Sequence, residues 1–159
     1  MVDFAVIEIT IFVLSVPFVL YFITSSLMVR ALAASAAVSI MLEIVNERFF
    51  PLEGTYYPKS LIFFPFFNFP VAIIFLAVLY SGLINLISLK ISEIFVKKIL
   101  SVITFFVSVL VLNSLSIYIE RAGIYSGYWV HRQPAGISGI HGYVYLFYSL
   151  IVLAGSLFI

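Results

Sequence analysis

The sequence contains no cysteine, and only 9% of its 159 residues are charged. The lack of cysteine excludes disulfides, thiolate metal centres, iron–sulfur clusters and a cysteine nucleophile. A soluble domain typically carries about 25% charged residues, so this chain has too few to cover a surface that faces water. Apolar residues make up 64% of the chain, and the mean hydropathy is +1.25. These values predict an integral membrane protein, and we expect it in the cell membrane.

Other protein classes are disfavoured by the charge distribution. The net charge is +1 and the basic residues form no stripe, so the electrostatic footprint of a nucleic-acid-binding protein is missing. The first residues, MVDFAVIEIT, carry acids where a cleaved signal peptide has cations, and therefore predict a retained first helix. Since no long polar or Gly/Ser/Pro-rich linker divides the chain, residues 1–159 are expected to form one integral membrane domain.

Long apolar runs predict the helices of that domain. A membrane-spanning helix needs about 20 apolar residues, and runs of roughly this length cover residues 5–29, 31–47, 69–89, 99–118 and 143–159. The predicted fold class is therefore all-α, a polytopic transmembrane helix bundle of about five spans. The second run begins ALAASAAVSIML, and its small side chains predict close helix packing.

Two shorter segments lie between these runs. The segment LIFFPFFNFP contains Pro65 and Pro70, which disfavour one straight helix and predict a re-entrant or interfacial piece. In KISEIFVKK, residues 90–98, charges alternate with apolar residues as in a short helix on the membrane surface. A plain solvated turn fits the second pattern equally well.

Two glutamates are expected to meet on one side of the bundle. The second and fourth predicted helices run in the same direction, so Glu43 and Glu120 at their C-terminal ends lie on the same face. An ionisable group at membrane depth costs roughly 3 kcal/mol and usually faces the bundle interior. Because burial favours a neutral carboxylic acid, Glu43 is a candidate proton donor. The alternative is that Glu43 pairs with Arg48 or Arg121 near the lipid headgroups.

The two long connections on that face resemble each other. Each joins an acid at a helix end to a glycine–aromatic patch, which is EGTYY at 53–57 in the first and SGYW at 126–129 in the second. Each then leads through a kink into the next span. This pattern predicts an approximate internal repeat, although glycine and aromatic residues are frequent at membrane interfaces in any case.

These motifs carry a family resemblance. The order E-x(10)-G-x-Y-Y, then N-x-P, then E-x(6)-G-Y-W and GISGIHG resembles the integral-membrane carotenoid biosynthesis proteins, which include the hydratase acting on bisanhydrobacterioruberin. The likeness covers about residues 40–150 and rests on scattered positions. The chain is shorter than expected for that family, and His141 stands where proline is expected.

The resemblance implies a membrane enzyme, a hydratase-like lyase, that protonates a C=C bond of an isoprenoid or carotenoid polyene. This chemistry needs a neutral acid, a water or base, and aromatic faces that stabilise a carbocation. It implies that the acid is Glu43 or Glu120 and that no cofactor or metal is needed. The substrate-binding residues would be Tyr56, Tyr57, Asn68, Trp129 and His141. Membrane lipid and the polyene are the expected partners, and a homo-oligomer or larger membrane complex is compatible with the sequence.

Two other functional classes stay open at this point. A non-catalytic accessory subunit or lipid-binding scaffold predicts that the acids pair with arginines instead of lining a cavity. A metal site would use carboxylate and imidazole ligands suited to zinc or iron, drawn from Glu43, Glu47, Glu120, His131 and His141. The two histidines lie in one irregular loop without helical spacing, which disfavours the metal site.

Overall fold

The computed structural model describes residues 4–23, 26–49, 55–58, 62–131 and 142–158. Its helices are α1 (Phe4–Ile23), α2 (Ser26–Phe49), α3 (Val71–Ser92), α4 (Lys98–Asn113), α5 (Ser116–Ser126) and α6 (Gly142–Ser156). Two short strands, β1 (Thr55–Tyr56) and β2 (Val130–His131), form an antiparallel pair. Three described helical stretches are long and apolar enough to cross a membrane. They are Val29–Phe49 within α2, Val71–Ser92, which is α3, and Lys98–Ser126, which combines α4 and α5. The predicted all-α transmembrane bundle is confirmed.

The boundary between the first two helices differs from the prediction. The apolar run was expected to end at Arg30, but α2 begins at Ser26 and includes Arg30 in its second turn. Arginine is a good helix former, and its long side chain can extend toward the interface from inside a helix. A single charge therefore does not end the helix.

The segment between α3 and α4 is a turn. Helix α3 continues to Ser92, and α4 begins at Lys98. Ile94 and Val96 are exposed, and Lys90 lies 2.8 Å from the Glu93 carboxylate, with both side chains mostly in solvent. The solvated turn is thus confirmed, and the surface helix is wrong.

The segment before α3 is a tight aromatic turn. Phe63 bridges to Pro70, and the Phe64 amide donates to the Phe69 carbonyl at 2.9 Å. Phe66 at the tip has a positive φ of 68° and is almost fully exposed. The described part of this segment is therefore non-helical, as the prolines predicted.

Helix α3 lies at the centre of the bundle and packs against α1, α2, α4 and α6. The small-residue face predicted on α2 is used for this packing, since Ala31, Ser35 and Ser39 are buried at four-residue intervals. An apolar core in the middle of the bundle consists of Tyr80, Ile84, Val109 and Val152. An aromatic-rich core lies nearer the loops and consists of Tyr57, Phe69, Ile74, Tyr128 and Trp129; we refer to it as the aromatic cluster.

Candidate active site

The strand pair brings the two similar connections together. Thr55 lies opposite His131, and Tyr56 lies opposite Val130. Helix α5 ends at Gly127, whose φ of 73° is a left-handed conformation that glycine adopts without strain. This turn directs the chain back so that Tyr128 and Trp129 pack beside Tyr57 in the aromatic cluster.

A cavity of about 60 Å³ opens next to the aromatic cluster. Helices α2, α3, α5 and α6 line it, together with the β1 connection. Glu43 and Glu120 both contribute to its wall, so the predicted meeting of the two helix-end acids occurs. One water needs roughly 10–15 Å³, so the cavity can hold a few waters or the last few atoms of an apolar chain.

Glu43 has one engaged and one unengaged oxygen. Its Oε1 accepts a hydrogen bond from the Tyr57 hydroxyl at 3.0 Å. Its Oε2 is buried and has no hydrogen-bond partner among the described residues. Burial raises the pKa of Tyr57 well above its usual value, so this hydroxyl is a donor at neutral pH. The bare Oε2 is therefore the position where a proton, a water or a ligand can be held.

Glu120 is held by a more extensive network. Its Oε2 accepts a hydrogen bond from Trp129 Nε1 at 3.0 Å and lies 3.3 Å from His131 Nε2. His131 is buried, and its Nδ1 lies 3.0 Å from Thr55 Oγ1. Asn46 in turn makes two hydrogen bonds of 3.3 Å with the Thr55 backbone. This network fixes the Glu120 carboxylate relative to both strands and to α2.

The predicted substrate-binding residues separate into three groups. Tyr57 and Trp129 line the cavity, but Tyr56 does not, because side chains alternate along a strand and Tyr56 points away, with 39% exposure. Asn68 is exposed and binds Glu47 through its amide N–H at 3.1 Å and its Nδ2 at 2.8 Å. His141 lies outside the described residues.

Several cavity residues were not identified from the sequence. Tyr143, Phe147 and Tyr148 of α6 line the cavity opposite α2. Tyr143 and Phe147 are four residues apart and lie on one helical face, but α6 is apolar on every side, so this spacing alone did not single out that face. Tyr148 lines the same cavity as Glu120 and Glu43.

A third buried acid, Glu8 of α1, lies on the far side of the aromatic cluster. Tyr128 Oη donates to Glu8 Oε1 at 2.7 Å, and both residues are almost fully buried. Each aromatic donor of the cluster thus donates a hydrogen bond to a different carboxyl group. Tyr57 donates to Glu43, Tyr128 to Glu8 and Trp129 to Glu120. The pairing of Glu8 with Tyr128 spans 120 positions and leaves no trace in local sequence patterns.

The two competing expectations can be compared with this geometry. Glu43 and Glu120 line a cavity and bind aromatic or imidazole donors, whereas the scaffold hypothesis expected them to pair with arginines. Within the described ranges, no group of three or more His, Asp or Glu side chains is arranged to hold a metal ion.

No protein-family model, curated protein or solved structure matches the chain significantly. Its function therefore has to be inferred from the cavity itself.

Proposed function

We propose that this protein is a membrane-embedded enzyme that protonates a C=C bond at the end of an isoprenoid or carotenoid polyene. The observation that carries the proposal is the buried Oε2 of Glu43, which accepts no hydrogen bond from the residues that the structure describes and belongs to an aromatic-walled cavity. The family resemblance of the motifs points in the same direction. The reaction class is hydration or related carbocation chemistry.

Glu43 supplies the proton in this mechanism. Tyr57 donates to Oε1, so the proton of a neutral Glu43 resides on the bare Oε2. Transfer of that proton to one alkene carbon breaks the π bond and leaves a tertiary carbocation at the other carbon. A positioned general acid contributes about 10²–10⁴ in rate.

The aromatic walls stabilise the carbocation. The rings of Tyr57, Trp129, Phe147 and Tyr148 line the cavity, and the negative face of such a ring attracts a nearby cation. In a low-dielectric site this attraction is worth about 2 kcal/mol or more for each well-placed ring. These rings also exclude bulk water, so the carbocation can be trapped by one bound water.

Glu120 completes the reaction. Water adds to the carbocation and loses a proton to the Glu120 carboxylate, whose position is fixed by Trp129 and His131. Return of that proton to Glu43 restores the starting state, so the net change is the addition of one water to the C=C bond. Tyr148, which lines the same cavity as both acids, relays this proton.

The cavity admits only the end of the polyene. Its 60 Å³ fits a few atoms, so the rest of the chain has to lie along apolar surface. A wholly apolar groove of about 370 Å³ lies on α2 and α3, lined by Val29, Leu32, Ala33, Ala36, Ile74, Phe75 and Val78. Ala36 packs against the aromatic cluster and Ile74 belongs to it, so the groove passes next to the catalytic end.

Expression in a host that makes acyclic carotenoids tests the proposal, with pigments analysed by mass. The wild-type chain should yield a pigment heavier by one water, and Glu43→Gln should reduce this product by about 10²-fold or more. Glu47→Gln is the matched control, because Glu47 lies one turn further along α2 and binds Asn68 instead. An unchanged pigment pool with the wild-type chain would instead support the accessory or lipid-binding scaffold.

A further inference from the structure

A line of small polar side chains crosses the bundle between α2, α3 and α6. We refer to it as the polar seam, and it consists of Ser92, Ser88, Asn85 and Ser81 on α3 and Ser35 and Ser39 on α2. Each of these residues is at most 5% exposed. Spacings of three and four residues place the members of each helix on one face.

The members of the polar seam are spaced along the bundle from the α3–α4 turn to the cavity. Ser92 is the last residue of α3 before the turn, and Ser39 lines the cavity one helical turn before Glu43. The two helices join where Ser35 Oγ and Ser81 Oγ lie 2.7 Å apart. At a rise of about 1.5 Å per residue, the α3 part is about 16 Å long and the α2 part up to Glu43 is about 12 Å. Their sum is close to the roughly 30 Å thickness of the hydrocarbon core.

Two oxygen atoms within the polar seam have no hydrogen-bond partner among the residues that the structure describes. Asn85 Nδ2 donates to the Val152 carbonyl at 3.3 Å and lies 3.4 Å from Ser81 Oγ, which fixes the orientation of the amide. Asn85 Oδ1 and Ser88 Oγ are buried and unpartnered among the described residues. A buried polar group without a hydrogen bond destabilises the folded protein, so such groups usually have a partner. Both oxygens therefore point to a small ligand that can donate and accept hydrogen bonds.

Water fits these requirements better than a cation does. Buried waters typically satisfy otherwise unpaired polar groups and can both donate to Asn85 Oδ1 and bond with Ser88 Oγ. The side chains of the polar seam are all uncharged. A cation there would leave its charge uncompensated at membrane depth, which is costly.

We propose that the polar seam binds water at Asn85 and Ser88 and forms a hydrated path from the α3–α4 turn to the Glu43 cavity. Water and protons then exchange between the cavity and the face of the bundle opposite the 55–70 and 127–131 connections. The inference goes beyond the proposed catalysis, because it holds whether or not Glu43 protonates a substrate.

Solid-state NMR of the protein in lipid bilayers tests the bound water directly, by magnetisation transfer from water to backbone amides. Transfer to Asn85 and Ser88 should be clearly faster than transfer to Ile84, an equally buried apolar residue of the same helix. Equal transfer at Ile84 would overturn the proposal. Asn85→Leu keeps the side-chain size but removes the acceptor, so the transfer from water to the Ser88 amide should become slower in this variant. The comparison of Asn85 and Ser88 with Ile84 in the wild-type protein tests the proposal even if this variant does not fold.

The continuity of the path is tested with single cysteines, since the natural chain has none. Ser88→Cys should react with Ag⁺ at least about tenfold faster than the lipid-facing control Leu83→Cys, because only the thiolate binds metal and it forms where water is present. Labelling with a fluorescent maleimide after denaturation measures the unreacted fraction. Equal rates for the two variants would overturn the path, and carotenoid turnover does not enter either readout.

Discussion

Acidic side chains have opposite environments at the two ends of the bundle. At the α3–α4 turn, Glu93 pairs with Lys90 while both side chains stay more than half exposed. At the cavity end, Glu8, Glu43 and Glu120 contact hydroxyl or indole donors of the aromatic cluster. In the first case water solvates the charge, and in the second case aromatic side chains replace water. Only the second environment can hold a carboxylic acid against an apolar ligand.

A finer form of the same contrast exists within α2. Glu47 has both oxygens engaged by Asn68, on the exposed side of the connection. Glu43, one turn earlier, has one oxygen engaged, and its other oxygen has no hydrogen-bond partner in the part of the chain that the structure describes. One helical turn thus separates an acid with both oxygens engaged from an acid that lines the cavity.

A substitution that fills the space beneath Trp129 should lower the stability of the cavity end of the bundle more than any other change described below. A Cβ at Gly123 would lie 2.1 Å from atoms of the Trp129 ring, so Gly123→Ala should displace the ring from Glu120. Overpacking of this kind costs about 3 kcal/mol. SDS-induced unfolding measures the loss, and a red shift of the fluorescence of Trp129, the single tryptophan, reports its displacement. Gly142→Ala, which meets no atom within 4 Å, is the control, and equal behaviour of both variants would contradict the packing described.

Removing one aromatic donor should have the next largest effect. Tyr128→Phe keeps the ring but removes the hydrogen bond to the buried Glu8. Removing one partner of a buried hydrogen bond costs about 1–3 kcal/mol, so the unfolding free energy should fall by that amount. Tyr125→Phe serves as control, because Tyr125 is 87% exposed and its substitution should change stability by less than about 0.5 kcal/mol. Similar small losses in both variants would show that the donor is unimportant.

The stabilising effect of neutral Tyr57 should depend on pH. Its pKa is raised in the folded protein, so its contribution is complete below the unfolded pKa of about 10 and is lost as pH rises above that value. The difference in unfolding free energy between wild type and Tyr57→Phe should be constant from neutral pH to mildly basic pH. It should then decrease by up to about 1.4 kcal/mol per pH unit above pH 10. A pH-independent difference would contradict the buried phenol.

A substitution at the α3–α4 turn should change the unfolding free energy least. Glu93→Gln removes an exposed pair with Lys90, and such pairs contribute about 0.2–1 kcal/mol at most. The change in unfolding free energy should lie at the low end of this range and vanish in high salt, where exposed charges are screened. A larger, salt-independent loss would mean that this end is not simply solvated.

The sequence was sufficient to predict some of these features for a physical reason. Apolar run length determines which segments can span a bilayer, and the direction of successive spans determines which ends share a face. The meeting of Glu43 and Glu120 in one cavity followed from these two facts, and the structure confirms it. The prolines of the segment before α3 likewise predicted its lack of helix.

Other features depend on tertiary packing and were not predictable. Helix α6 is apolar on every side, so composition did not reveal that Tyr143 and Phe147 face the cavity. The family resemblance implied that Tyr56 and Tyr57 both bind substrate, but strand geometry sends their side chains to opposite faces. The burial of Glu8 against Tyr128 joins two residues that are 120 positions apart, so no local pattern in the sequence could indicate it.

Infrared difference spectroscopy of the protein in lipid at neutral pH tests the central claim most directly. If Glu43 is a neutral acid in the cavity, wild type should show a protonated-carboxyl C=O band that disappears in Glu43→Gln and persists in Glu47→Gln. A wild-type spectrum without that band, or one in which Glu43→Gln leaves it unchanged, would contradict the assignment of Glu43 as the proton donor.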